Sequence, residues 1–226
     1  MALSDKKILE EKKRGNIVIE PFKRAHLSTS SYDVTLGEWF FREQPPNYYL
    51  NHYNIFNKKH TDYVWGTKAL RAQKAKGVFK HFAAFEWSGI KPDDRVILIE
   101  PGETILAHTN EFIGGRRVIT TMMKARSSLG RSFIEVCKCA GWGDVGFTSR
   151  WTMEITNSSR HYAIPLVVNM RIAQIVFFYT GEILKNDYTK TGKYQSEVDL
   201  QKIKKSWRPE TMLPRLHQDF EIKKKS

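Results

Sequence analysis

Cysteine is the scarcest useful residue here: 226 residues contain two, Cys137 and Cys139. They stand two apart in what reads as a strand, on one face, which is a poor scaffold for a disulfide. With no second pair, neither a disulfide-stapled module nor a cysteine-based structural zinc site is supported. Free thiols in a reducing compartment are expected. Long apolar runs are missing too. The longest, around 172–179, is strand-sized and falls well short of the ~20 residues that span a bilayer as a helix. The opening Met-Ala-Leu-Ser-Asp-Lys-Lys has no apolar signal core, so the cytoplasm is the default and no membrane partner is expected. A Walker loop is absent as well. Gly114-Gly115 lacks the lysine and the following helix, and reads as a hairpin turn.

What is present is an ordinary globular mixture, 41% hydrophobic and 27% charged. A chain of this length can bury a core without staples. The formal net charge of +13 favours an anionic partner through long-range attraction. Charge alone does not separate nucleic acid, membrane and nucleoside triphosphate. No zinc finger, basic zipper or other nucleic-acid motif accompanies it, so a nucleic-acid partner is not expected. The KIKK and EIKKKS segments near the C-terminus read as solvated ends.

Local patterns give the organisation. Ser4 can cap a helix over 5–13, closed by Gly15. NIVIE (16–20) alternates as a short strand that Pro21 stops. SSYDVTLG (30–37) reads as a strand ending at Gly37. Residues 41–90 hold Pro45-Pro46 and many aromatic and basic residues, and read as a partly ordered insertion or a subunit contact. From 94 onward, strands are expected at 94–99, 104–109, 117–124, 133–138, 151–156, 162–167 and 171–179. Pro101-Gly102, 141–147 and 157–160 supply the turns. Short, regularly spaced strands of this kind imply an all-β barrel or distorted sandwich. One main domain over 1–200 and a basic extension over 201–226 are expected.

Four stretches carry candidate chemistry. In WTMEI, strand alternation puts Trp151 and Met153 on one face and Thr152 and Glu154 on the other. Burial among such neighbours raises a carboxyl pKa and suits it to proton transfer. In ARSSLGR, Arg126 and Arg131 bracket Ser127 and Ser128; arginine forks match phosphate or a developing oxyanion. GWGDVGF presents Asp144. TGKYQSE presents Lys193, Tyr194 and Gln195, with Tyr188 just before.

These pieces sit in a wider pattern. LSDKKI (3–8), SYDVTLG (31–37), PGETILAHTNEFI (101–113), the stretch from ARSSLGR to MEITN (125–157), NMRIAQIVF (169–177) and TGKYQ (191–195) together resemble the dCTP deaminase and trimeric dUTPase superfamily. The resemblance covers most of the chain except 41–90 and about the last 25 residues. It implies a distorted, jelly-roll-like β-barrel of the dUTPase-like (β-clip) fold with short peripheral helices. It also implies a homotrimer with active sites between subunits, and Mg²⁺ brought by the nucleotide triphosphate, with no zinc. Members deaminate dCTP to dUTP, hydrolyse dUTP to dUMP and pyrophosphate, or do both.

Carried over by resemblance, Glu154 is the general base that activates water for attack at cytosine C4. Arg131 stabilises the reacting ring. Ser127 and the Ala140 carbonyl position the water, and Arg126 and Ser128 hold phosphates. Asp144 contacts the sugar 3′-hydroxyl and orients a water toward the α-phosphate. Asp33 supports the core and subunit contact near the site. Tyr188, Lys193 and Tyr194 belong to a segment that closes over the nucleotide. Three departures stand out. Glu197 takes the place of a usual glutamine, for which Gln195 could substitute if the closing segment shifts. Thr148-Ser149-Arg150 reads as the turn after Phe147, where a glycine is usual. Asn169 replaces a turn glycine and tolerates positive φ. The alternatives are a dUTPase only, a deaminase for a modified cytosine nucleotide, and a nucleotide-binding regulator without turnover.

Overall fold

Twelve strands and six short α-helices make up the computed structural model, which describes residues 1–82, 84–184 and 187–219. The strands are β1 (Ile17–Glu20), β2 (Tyr32–Arg42), β3 (Leu70–Arg71), β4 (Gln73–Lys74), β5 (Arg95–Ile99), β6 (Thr104–Gly115), β7 (Ile119–Ala125), β8 (Ile134–Val136), β9 (Trp142–Gly143), β10 (Thr148–Asn157), β11 (Ile164–Val167) and β12 (Arg171–Tyr179). The helices are α1 (Asp5–Lys13), α2 (Lys58–Trp65), α3 (Ala75–Val78), α4 (Ser127–Arg131), α5 (Tyr188–Thr191) and α6 (Leu200–Ser206).

Nine strands form one sheet in the order β8-β10-β6-β2-β12-β7-β9, with β1 on β6 and β3 on β2; β11-β5-β4 form a second. Every named pairing is antiparallel. The period-2 pattern explains which faces close on each other. Trp151, Met153 and Ile155 from β10 meet Ile105, Ala107 and Ile113 from β6, and Ile172, Ile175 and Phe177 from β12 join the same core. Each fully buried isoleucine of this kind contributes about 2 kcal/mol through apolar burial. At the N-terminus, the Ser4 side chain accepts from the Lys7 amide and caps α1, and Gly15 follows with φ +78°.

Several boundaries differ from the sequence reading. β2 does not stop at Gly37 but runs on to Arg42, because Phe40 and Phe41 are buried. Gly114-Gly115 is no hairpin turn: both residues end β6, paired with Val18 and Ile17. An added Cβ at Gly115 would stand 2.2 Å from the Ile119 carbonyl oxygen, so the close approach of backbones explains the glycine there. The turn follows, with Arg117 at φ 58°. Cys137 and Cys139 lie outside β8, in a turn where Cys137 and Lys138 take positive φ; Cys137 is buried and Cys139 exposed. Thr148-Ser149-Arg150 opens β10 rather than making a turn. Asn169 does adopt the left-handed conformation, φ 72°.

Residues 41–90 hold α2, the two-residue strands β3 and β4, α3 and an aromatic cluster in which Phe79 and Phe85 stack at 3.6 Å. The C-terminal extension also departs from expectation. KIKK lies on α6, where Ile203 is buried, and Met212 packs with Phe41 and Leu106. EIKKKS falls outside the described residues. No helix among the described residues is long and apolar enough to cross a membrane.

Candidate active site

Strand alternation along β10 places Arg150, Thr152 and Glu154 on its half-buried face while Trp151, Met153 and Ile155 fill the core. All three outward residues line one cleft of about 360 Å³. The segment after β8 brings Ala140, Trp142 and Asp144 to the same cleft. Tyr188 and Tyr194 form the wall from the C-terminal side, with Thr211, Met212 and Pro214 from the extension.

Burial raises the Glu154 carboxyl above the ordinary carboxylate pKa of 4.5, against a smaller opposing pull from Lys138. A carboxyl so placed is a stronger base than an exposed one and suits proton transfer. Asp144, by contrast, is exposed at the cleft. Among the described residues the same lining holds no histidine or cysteine. Among the described residues no group of three or more His, Cys, Asp or Glu side chains is arranged to hold a metal ion.

Residues 188–197, expected to close over a nucleotide, are held by direct contacts. The Tyr188 amide donates to the Val145 carbonyl (2.9 Å), and its ring meets Phe147 edge-on at 5.2 Å. Burial pushes the Tyr188 hydroxyl pKa up. Gly192 packs closely on the Tyr188 ring: a Cβ there would stand 2.1 Å from it, and the ring would have to shift. Gln195 is buried and fastens the tail to the barrel. Its carbonyl accepts from the Thr148 amide (2.6 Å) and its NH₂ donates to the Gly146 carbonyl (3.2 Å) and the Glu197 carbonyl (2.8 Å). Glu197 turns away from the cleft and accepts from the Val198 and Asp199 amides. Lys193 is paired with Asp219, and Arg215 caps the Tyr194 ring at 5.4 Å while donating to the Lys193 carbonyl.

Arg126, Ser127, Ser128 and Asp33 are gathered elsewhere. They line a second cleft of about 300 Å³ with Arg171 and Gln174, which shares no residue with the first. Buried Asp33 accepts an ion pair from Arg171 (3.0 Å) and another from Arg126 (3.5 Å). Arg131 is exposed at the end of α4 and lines neither cleft. One chain therefore brings together Glu154, Asp144, Ala140, Tyr188 and Tyr194, and keeps the ARSSLGR side chains apart from them.

The family model described as dCTP deaminase-like matches residues 2–180. The chain belongs to that family. A relative from Hydrogenobaculum sp. (strain Y04AAS1), named "dCTP deaminase, dUMP-forming", is 33% identical over 185 residues, covering 81% of this chain and 85% of its own. A relative of the same name from Aquifex aeolicus (strain VF5) is 29% identical over 226 residues, covering 99% of both. Among solved structures, the 2′-deoxycytidine 5′-triphosphate deaminase from Agrobacterium tumefaciens shares the fold, with TM-score 0.52 and 18% identity over 82% of this chain and 50% of its own. The family match ends at residue 180, so the closing segment and the extension that walls the cleft lie beyond it.

Sequence reasoning missed Arg150, Trp142, Thr152, Thr211, Met212 and Pro214 as cleft residues. Arg150 was within reach: it lies four positions before Glu154, on the same face of an alternating strand.

Proposed function

We propose that this chain deaminates dCTP at C4 and hydrolyses the resulting dUTP to dUMP and pyrophosphate. The observation that carries the reading is the convergence of two unlike carboxylates on one cleft, Glu154 half-buried with a raised pKa and Asp144 exposed. Two environments for two carboxylates suit two successive steps. The names of the relatives, "dCTP deaminase, dUMP-forming", point the same way.

In the first step Glu154 takes a proton from water while the oxygen adds to C4. The proton passes to N3, and the tetrahedral centre then collapses. A second proton, carried by Glu154 from the new hydroxyl to the amino group, lets ammonia leave and uracil form. Ser127 and the Ala140 carbonyl hold the water, and Arg131 stabilises the charge that develops on the ring. In the second step Asp144 holds the sugar 3′-hydroxyl and directs a water at the α-phosphorus, expelling pyrophosphate. Mg²⁺ arrives with the triphosphate as part of the substrate and neutralises its oxygens. Arg126 and Ser128 bind the phosphates. Tyr188, Tyr194, Lys193 and Gln195 close the segment over the nucleotide and exclude water.

The ARSSLGR side chains reach the Glu154 cleft from a neighbouring copy of the chain. A homotrimer with its sites between subunits supplies that neighbour, and the separation of the two clefts within one chain supports it. The enzyme is expected to act without membrane or nucleic-acid partners, in the cytoplasm.

The test is a time course with dCTP and Mg²⁺, products resolved by chromatography. Direct release of dUMP and pyrophosphate with little free dUTP is expected. Accumulating dUTP would restrict the activity to deamination. Cleavage of dUTP with dCTP untouched would remove the role given to Glu154, and turnover of neither would reject the reading.

A further inference from the structure

Arg150 occupies an unusual position for an arginine. Between Arg150 and Thr152 the pairing of β10 with β6 slips, from Phe112 opposite Arg150 to His108 opposite Thr152. The Trp151 amide at the slip donates to the Thr109 hydroxyl (2.9 Å) in place of a ladder partner. An irregularity of this kind re-aims a side chain beside a site. Beside it the Arg150 guanidinium carbon lies over two rings, 5.1 Å from the centroid of Phe112 and 4.8 Å from that of Trp207.

The group is half-buried, lines the cleft that holds Glu154 and Asp144, and its buried Nε has no hydrogen-bond acceptor among the described residues. The carboxylates that act on it electrostatically, Glu111 and Glu38, are committed elsewhere. Glu111 accepts from the Thr35 amide and hydroxyl, and Glu38 from Arg71. The neighbouring imidazole of His108 brings no anion either, and is kept neutral. Burial holds the His108 pKa down at about 4, and its Nδ1 bonds the Thr109 carbonyl. A half-buried cation without a counter-charge is costly to keep unless something supplies the missing anion.

We propose that Arg150 binds the phosphate chain of the nucleotide in this cleft, with Phe112 and Trp207 as the clamp that fixes its fork. The inference rests on the reading of the cleft as a nucleotide site and adds a residue to it. Four strand positions separate Arg150 from Glu154, about 13 Å along the strand. That span suits a nucleotide extended along β10, its base at Glu154 and its phosphates at Arg150. A planar guanidinium offers paired donors to phosphate oxygens, which an ammonium at the same place does not. The clamp is half made of Trp207, so the extension beyond the family match takes part in holding substrate.

Equilibrium binding separates the outcomes, because it needs no turnover. Calorimetry would compare dCTP with Mg²⁺, dCMP and deoxycytidine on the wild type, Arg150→Met and Arg150→Lys, each in a Glu154→Gln background so that dCTP is bound without turnover. Loss of a charge-assisted hydrogen bond predicts about 10–100-fold weaker dCTP binding in Arg150→Met. Arg150→Lys should recover part of it, while deoxycytidine binding stays unchanged. Inorganic triphosphate should compete with dCTP for the wild type and far less for Arg150→Met. Equal dCTP binding by wild type and Arg150→Met would overturn the proposal. So would an equal loss of dCTP and deoxycytidine, which would make Arg150 a base or sugar contact or a purely structural clamp. A wild type that binds no dCTP would instead bring down the reading of the cleft itself. Should Arg150→Met fail to fold, Arg150→Lys and the triphosphate competition decide.

Discussion

As the proposed base, Glu154 would change protonation state inside a wall of side chains, and its burial has two opposed consequences. For catalysis, the raised pKa makes the carboxylate a stronger base, with activity rising as pH climbs through the folded value. For stability, the sign is reversed. Burial favours the neutral acid, so between the ordinary value of 4.5 and the raised one the folded chain holds a proton that the unfolded chain has released. Stability is therefore lost as pH rises across that window. Glu154→Gln removes both effects while keeping the shape. Deamination should fall about 10²–10⁴-fold, while the thermal midpoint at pH 7.5 stays at or above that of the wild type. Turnover of dCTP and a melting curve on the same sample check this, and a midpoint lowered by several degrees would contradict the burial argument. The face occupied by Glu154 was legible because period-2 alternation needs only neighbouring residues. The cysteines show where that method stops. Cys137 and Cys139 also stand two apart, yet the positive φ of Cys137 and Lys138 breaks the strand between them, and such φ values at non-glycine residues leave little trace in sequence.

Elements that fold locally were readable to within a residue or two: α1 with its Ser4 cap, β1 before Pro21, and β12. Segments whose order comes from distant partners were not. Nothing local in residues 207–214 says that Trp207 will lie 4.8 Å from His108, or that Met212 will be buried beside Phe41 and Leu106. The lysine-rich KIKK and EIKKKS segments on either side made the whole extension look solvated, whereas Ile203 and Met212 within it are buried. Met212→Ala tests that packing. A buried methionine cut to alanine costs about 2–5 kcal/mol, which for a chain of this size lowers the thermal midpoint by roughly 5–15 °C. Differential scanning calorimetry of the full chain measures it. A shift below about one degree would return the extension to the solvated role that its composition suggests, and would detach it from the cleft wall.

At the scale of the whole molecule, the decisive feature is a division that no single chain repairs. Glu154 and Asp144 open on one cleft, while Arg126, Ser127 and Ser128 open on another, and Arg131 reaches neither. Sequence motifs assigned these residues to a common chemistry, but a motif carries no information on which copy of the chain supplies each member. The trimeric reading makes this testable with two variants, each inactive alone: Glu154→Gln, which spoils the cleft, and Arg131→Ala, which spoils the neighbour's contribution. Mixed, dissociated and reassembled in equal amounts, they produce some sites with an intact cleft from one copy and an intact arginine from the next. Random assembly in a cyclic oligomer places both in roughly a quarter of the sites. About that fraction of wild-type dCTP turnover should return, and only after subunit exchange. If each site were built from one chain, every site would carry one of the two lesions, and mixing would restore nothing at any ratio.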